Sequence, residues 1–195
     1  MARLWWGLLS VTLVGVTASF LWRSHPEGTG PELPVLGRVR DFTLRDQANR
    51  AMTRQDLLGK TWVADFIHTR CPDQCPMMSR QMQVIQGLLA KESSIRLVSI
   101  SVNPEHDNPQ VLRGYVERYH ADTSRWYFLT GQREAVRRLA GSFKLTPPGK
   151  SQGDLVDHSN RLILVDAQAR IRRYYDGTDD KEVQRLIKDL SALSK

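Results

Sequence analysis

The residues best suited to chemistry are the chain's two cysteines, Cys71 and Cys75, which lie four positions apart. They follow an apolar run rich in β-branched and aromatic residues, 61–68, and they precede a segment with helical periodicity. This order predicts that both lie on a turn between a strand and a helix. Because amide groups at a helix N-terminus favour a nearby negative charge, we expect a cysteine held there to lose its proton readily and to become a nucleophilic, metal-binding thiolate.

A cysteine pair of this kind has three uses: a reversible disulfide, two thiolate ligands for a soft metal ion, or an inert structural disulfide. The structural bridge is disfavoured because it would close a very short loop and would therefore constrain the unfolded chain little. The redox use and the metal-binding use both stay open on the cysteines alone.

Length and composition are those of a globular protein of one domain with extra segments. The chain has 195 residues, of which 41% are hydrophobic and 25% are charged, and its formal net charge is +7. A positive charge favours anionic partners such as lipid headgroups, nucleic acid or an acidic protein. The arginines are scattered and follow neither a zinc-finger spacing nor an RNA-binding aromatic pattern, so we expect no nucleic-acid partner.

The N-terminal residues 1–23 predict a transmembrane anchor or an uncleaved signal. Residues 4–22 carry no charge, and tryptophans lie at both ends of this run, as membrane-interface residues do. Residues 17–19 resemble a weak cleavage site, but the apolar run continues beyond them. The charge bias around the run weakly favours a domain on the outer side of the membrane.

Residues 24–35 are rich in proline and glycine and predict a flexible tether, and residues 36–195 predict the folded domain. Within it, strands alternate with helices and a hairpin follows, which predicts a mixed α/β sheet flanked by helices. The cysteines fall at the carboxyl end of a central strand, where such sheets place ligand sites, and this layout is thioredoxin-like. The predicted segments are a strand pair within 41–52, a helical turn from 53, strands at 61–68, 95–102 and 126–130, helices at 76–91, 110–120 and 133–143, a hairpin of 161–165 with 171–175, and a helix at 181–193.

Three motifs together resemble a known family. They read CPDQCP at 71–76, SVNPEHDNP at 101–109 and LVDHS at 155–159. In this order and spacing the chain resembles the Sco/SenC/PrrC family of cytochrome oxidase assembly proteins. The resemblance implies a thioredoxin-like domain on a membrane tether, facing the periplasm or the mitochondrial intermembrane space. It also implies that the domain binds copper and helps to assemble the dinuclear copper centre of its partner, the copper-centre subunit of cytochrome c oxidase.

Carried over from the family, Cys71 and Cys75 would be thiolate ligands of copper and His158 the third ligand. Thiolates select Cu(I), with Cu(II) as a second form, and two sulfurs with one nitrogen are too few for a closed structural zinc site. Three positions depart from the family pattern: Asn103 where Asp is common, His106 where Arg is common, and Arg70 where an aromatic residue, Ser or His is common. Four charged residues are candidates to orient or polarise the ligands: Asp65, Arg70, Asp73 and Asp157.

Asp65 lies six residues before Cys71 in a strand that resembles the one carrying a buried acid in thioredoxins. A buried acid there would have a raised pKa and could shuttle protons during disulfide exchange, whereas an acid facing a polar groove would not. Met78 and Met82 offer thioether sulfurs, but their helical spacing favours core packing.

Two functions therefore compete. The first is a copper chaperone for the oxidase subunit, and the second is a thiol-disulfide oxidoreductase that reduces the partner's copper-ligand cysteines, in which Cys71 attacks and Cys75 resolves the mixed disulfide. The question of enzymatic activity stays open. His158 separates the two, because copper retention requires it and dithiol exchange does not. A peroxidase is disfavoured because the peroxiredoxin-type cysteine pattern is absent.

Overall fold

The structure is a computed structural model, and it describes residues 33–72, 74–89, 94–144 and 160–193. The predicted anchor at 1–23 and most of the predicted tether lie outside these ranges. Among the described residues, no helix is both long enough and apolar enough to cross a membrane.

A six-stranded mixed sheet forms the centre of the domain. Its strands are β1 (Gly37–Arg38), β4 (Trp62–Ile67), β5 (Arg96–Ser101), β6 (Trp126–Leu129), β7 (Arg161–Val165) and β8 (Arg170–Asp176). The spatial order is β1-β8-β7-β4-β5-β6, in which β4, β5 and β6 are parallel and the remaining pairings are antiparallel. All six residues of β4 are buried, as expected of a central strand covered on both faces.

Within the described ranges, four helices and a small hairpin cover this sheet. They are α1 (Gln74–Leu88), α2 (Pro109–Arg118), α3 (Arg133–Ser142), α4 (Asp180–Leu193), and the hairpin of β2 (Thr43–Arg45) and β3 (Ala51–Thr53), which a 3₁₀ turn at Arg54–Leu57 follows. α1, α2 and α4 pack on one face, and α3 packs on the other together with the hairpin. The thioredoxin-like α/β architecture predicted from the alternation of elements is confirmed.

Side-chain alternation along β4 explains the two cores. Trp62, Ala64 and Phe66 face the α3 side, whereas Val63 and Ile67 face the α1 side. Asp65 lies between Val63 and Ile67 at two-residue spacing, so its side chain points to the same core, beneath α1. Two α1 methionines, Met78 and Met82, are at most 1% exposed and belong to that same core, which confirms the prediction that they are packing residues.

The predicted segments agree with the observed elements in order and type, with differences at their ends, but the short strand β1 was not predicted. The helix predicted from residue 76 begins at Gln74, so Cys75 lies in its first turn. The hairpin residue Gln47 accepts a hydrogen bond from the backbone N–H of Phe128 on the edge strand β6 (3.0 Å). Arg45 and Thr130 exchange backbone hydrogen bonds at the same edge, so the hairpin covers it.

A glycine beside α1 tests the packing of that core. An alanine Cβ at Gly177 would lie 2.5 Å from the Met78 Sδ atom and 3.1 Å from the Leu162 Cγ atom. Because Met78 is buried in a close-packed core, we expect Gly177→Ala to lower the free energy of unfolding by about 1–3 kcal/mol, measured by urea denaturation.

The matched control is Gly114→Ala in α2. No described neighbour lies within 4 Å of the added methyl group, so the variant should raise the free energy of unfolding by about 0.5–1 kcal/mol through the helix propensity of alanine. Equal effects of the two substitutions would contradict the packing described beside Met78.

Candidate metal and redox site

The two cysteines meet where β4 passes into α1. Cys71 lies in the connecting loop and is 6% exposed, and Cys75 lies in the first turn of α1 and is 9% exposed. Neither is in a disulfide, and the two thiols are hydrogen-bonded to each other. The backbone N–H of Cys71 donates to the carbonyl of His68 (2.9 Å), which closes the turn that carries the first cysteine. Two soft sulfur donors therefore converge at the carboxyl edge of the sheet.

Burial decides the protonation of Cys75. Burial, together with a smaller effect of the hydrogen bond with Cys71 and against a hydrogen bond from the His68 backbone, raises the pKa of this thiol to about 12. The expectation that a cysteine at this helix start loses its proton readily is therefore wrong for Cys75 in the metal-free dithiol. The cost of a charged sulfur in an apolar environment exceeds the favourable effect of the helix amides.

Asp65 is fully buried in the core beneath α1. Burial raises the pKa of its carboxyl to about 7, and the Ser99 hydroxyl on the adjacent strand offsets only part of that effect. Among the described residues, neither carboxyl oxygen has a partner in good hydrogen-bond geometry. The alternative in which Asp65 faces a polar groove is therefore wrong. Its charge acts on Cys75, because it contributes to the raised pKa of that thiol.

A second buried acid, Asp107, lies in the loop between β5 and α2. Its carboxylate accepts hydrogen bonds from the hydroxyl of Ser101 (2.6 Å) and from the backbone N–H (3.1 Å) and hydroxyl (2.5 Å) of Thr69, and it lies 2.8 Å from Nδ1 of His106. Thr69 belongs to the loop between β4 and α1 that carries Cys71, the cysteine loop. β4 and β5 are parallel neighbours, so the two loops leave the sheet at the same edge.

Burial alone would raise the pKa of Asp107. The hydrogen bonds from His106, Ser101 and Thr69 outweigh it and hold the pKa below its usual range. Asp107 is therefore a carboxylate at neutral pH, whereas Asp65 is only partly ionised there. The sequence pattern did not identify Asp107 or Thr69 as site residues, although Asp107 lies within the motif at 101–109. His106, one of the three departures from the family pattern, contacts this carboxylate.

A model of the family described as SCO1/SenC matches residues 36–194. The chain belongs to the SCO1/SenC family. A relative from Bacillus subtilis (strain 168), named SCO1 protein homolog, is 31% identical over 185 residues, which cover 92% of this chain and 96% of the relative.

Solved structures of SCO1/SenC proteins share the fold. BsSco, a member of the Sco family of cytochrome c oxidase assembly proteins in which a disulfide switch was identified, superposes with a TM-score of 0.71 at 31% identity over 83% of this chain and 96% of that chain. Yeast Sco1 with copper bound superposes with a TM-score of 0.64 at 25% identity over 81% of this chain and 90% of that chain.

The described part of this SCO1/SenC chain contains some of the predicted site residues but not others. Arg70 is exposed, and its backbone N–H donates to Nδ1 of His68 (3.1 Å). Asp73, Asp157 and His158 lie outside the described residues. Within the described ranges alone, no three His, Cys, Asp or Glu side chains form a group that could hold a metal ion.

The pKa of Asp65 predicts how stability depends on pH. The folded carboxyl titrates at about 7 and the unfolded one near 3.8, so its stabilising effect is complete below pH ~4 and is lost as the pH rises through ~7. Asp65→Asn removes this dependence. Between pH 5 and pH 8, wild type should lose about 2–3 kcal/mol of unfolding free energy relative to the variant, as measured by urea titrations.

The matched control is Asp166→Asn in the turn between β7 and β8. Burial would raise the pKa of Asp166, but hydrogen bonds from Arg170 and Arg172 outweigh it and hold the pKa below its usual range. Its contribution to stability is therefore lost only as the pH falls into the acid range, and it stays constant between pH 5 and pH 8. A wild type whose stability does not change relative to Asp65→Asn over that interval would contradict the raised pKa.

Proposed function

We propose that this chain is a membrane-anchored copper chaperone that binds copper through Cys71, Cys75 and His158 and assists assembly of the dinuclear copper centre of cytochrome c oxidase. The observation that carries the proposal is the convergence of two buried thiols at the carboxyl edge of a central strand. Support comes also from yeast Sco1, a relative solved with copper bound, and from BsSco, which belongs to a family of cytochrome c oxidase assembly proteins.

The donor chemistry suits copper as the cargo. Two thiolates and one imidazole are soft and borderline ligands, which favour Cu(I) over the hard cations that prefer oxygen. Binding must displace the protons of both thiols, so uptake releases protons. A three-coordinate site also leaves room for the partner's cysteine thiolates to add before the donor ligands depart, which permits transfer by ligand exchange.

His158 is the ligand that the sequence motif supplies. It precedes β7, which runs antiparallel to β4, so the first residue of β7, Arg161, lies toward the end of β4 from which the cysteine loop leaves. Asp157, Asp73 and Arg70 are proposed to influence the ligands through charge or orientation. Residues 1–23 would anchor the chain in the membrane, residues 24–35 would tether it, and domain 36–195 would face the periplasm or the mitochondrial intermembrane space.

An anaerobic Cu(I) competition titration of the reduced full-length chain tests the proposal. Wild type should bind one copper tightly, and Cys71→Ser or Cys75→Ser should abolish that tight binding because a thiolate is lost. His158→Ala should weaken the affinity by about 100-fold or more, since disturbing even an outer partner of a ligand costs 10–100-fold.

The histidine control is His120→Asn. His120 is exposed at the end of α2 and has a positive φ of 48°, a conformation that asparagine tolerates better than alanine. This variant should keep the wild-type affinity. Wild type that binds copper no better than the cysteine variants would overturn the chaperone function.

The second candidate function is reduction of the partner's copper-ligand disulfide. The thiolate of Cys71 would attack one partner sulfur, forming a mixed disulfide and releasing one partner thiolate. The thiolate of Cys75 would then attack the Cys71 sulfur and release the second partner thiolate, so two electrons pass to the partner and a Cys71–Cys75 disulfide remains. The observation that favours this candidate is buried Asp65, whose charge acts on Cys75.

In this reaction Asp65 would accept the proton of Cys75 as that thiol becomes the resolving nucleophile. Asp65→Asn cannot accept it, so the rate of reduction of a disulfide peptide should fall by about 100-fold, measured by stopped-flow fluorescence. Asp166→Asn should react at the wild-type rate. If Asp65→Asn left both the exchange rate and the reduction potential of the pair unchanged, the proton relay would be excluded.

A further inference from the structure

We propose that Asp107 is a positioning residue for the cysteine pair: it holds the loop between β4 and α1, through Thr69, so that both thiols face a single ligand. The inference rests on the proposed function, because it assigns Asp107 to the same site. It concerns the motif at 101–109, to which neither the copper ligand set nor the redox pair gives a role.

Hydrogen bonds between the loop after β5 and the cysteine loop hold Thr69 in place. Oδ2 of Asp107 accepts from the backbone N–H of Thr69 (3.1 Å) and from the Ser101 hydroxyl (2.6 Å), and Oδ1 accepts from the Thr69 hydroxyl (2.5 Å). His106 lies on the outer side of the carboxylate, with its Nδ1 2.8 Å from Oδ1. Ser101 also accepts a hydrogen bond from the backbone N–H of Asn103 (3.1 Å), so the carboxylate is fixed from its own loop.

Hydrogen bonds therefore join the end of β4 and the cysteine loop, at two points, to the segment that follows β5. The carbonyl of Ile67 accepts from the backbone N–H of Val102 (2.9 Å), and Asp107 holds Thr69 two residues further on. Between them lies His68, whose carbonyl accepts from the Cys71 N–H and whose backbone hydrogen-bonds to Cys75. The segment that contacts both cysteines is therefore held on both sides.

A carboxylate is the group that this arrangement requires. The donors around Asp107 are two hydroxyls, one backbone N–H and, with Nδ1 protonated, the imidazole of His106. An asparagine amide would direct its own N–H groups at one set of these donors. Asp107→Asn should therefore release Thr69 with little change in side-chain volume.

Asp166 provides a matched buried acid for comparison. Its carboxylate also organises a turn, where it accepts from the backbone N–H groups of Gln168 (3.0 Å) and Arg170 (2.9 Å). It follows Val165, whose partner Trp62 lies at the start of β4, whereas the cysteine loop leaves the end of β4. Asp166→Asn should therefore destabilise the fold without changing the surroundings of the thiols.

The test compares wild type, Asp107→Asn and Asp166→Asn as full-length reduced chains, by anaerobic Cu(I) competition and by the rate of thiol alkylation with iodoacetamide. We expect Asp107→Asn to weaken Cu(I) binding about tenfold, within the range seen when an outer partner of a ligand is removed, and to speed alkylation because the buried thiols become accessible. Asp166→Asn should change neither, even where the two variants have equal melting temperatures. Equal Cu(I) affinities and alkylation rates in the two variants would overturn the proposal.

A second pair of variants separates positioning from general stability. Thr69→Val keeps the shape of the side chain and loses its hydroxyl, whereas Thr69→Ser keeps the hydroxyl. Thr69→Val should change Cu(I) affinity and alkylation in the same direction as Asp107→Asn, and Thr69→Ser should restore the wild-type values. If Thr69→Val behaves as wild type, the hydroxyl contact with Asp107 does not position the cysteines.

The outcomes also distinguish this inference from the chaperone function. Wild type that binds no copper would remove the chaperone function, while the alkylation rates of the same variants would still decide whether Asp107 holds the cysteine loop. Wild type that binds copper, together with an Asp107→Asn variant indistinguishable from Asp166→Asn, would keep the chaperone function and reject Asp107 as its positioning residue.

Discussion

The site depends on the burial of β4 between two covered faces of the sheet. Because both faces are packed, the strand has one register, and the residue at which it ends is determined by that packing. The cysteine loop starts there, and the neighbouring parallel strand β5 ends at the same edge, where the loop that carries Asp107 begins. A shift of β4 by one residue would move Asp65 to the other core and would displace both cysteines.

The same burial controls the charges of the site. Asp65 and Cys75 are both shielded from water, so burial favours their neutral, protonated forms, whereas Asp107 stays charged because several donors converge on it. A soft cation that displaces the thiol protons would supply the charge compensation that this environment lacks. Metal-free Cys75 is thus a buried, protonated thiol rather than an exposed, reactive thiolate.

Copper transfer and disulfide exchange, the two proposed functions, would use the same sulfur atoms, and the geometry of the pair suits both. They would differ in the residues on which they depend: His158 for the metal, Asp65 for the proton, and Asp107 for any function that needs the two thiols to face one ligand. The family relationship links the chain to cytochrome c oxidase assembly proteins. Substitutions of the three residues provide independent tests that distinguish copper transfer from disulfide exchange.

The sequence by itself determined the order of elements, the sheet class and the position of the cysteines on a strand-to-helix turn, because these follow from local periodicity, turn residues and motif spacing. The apolar run at 61–68 did not reveal whether Asp65 is shielded from water, since strand parity does not tell which face a helix covers. The high pKa of Cys75 and the contact between Thr69 and Asp107 were also decided only by the tertiary structure. Both depend on residues up to 38 positions apart in the sequence being brought together, and burial and charge are properties of that assembled environment.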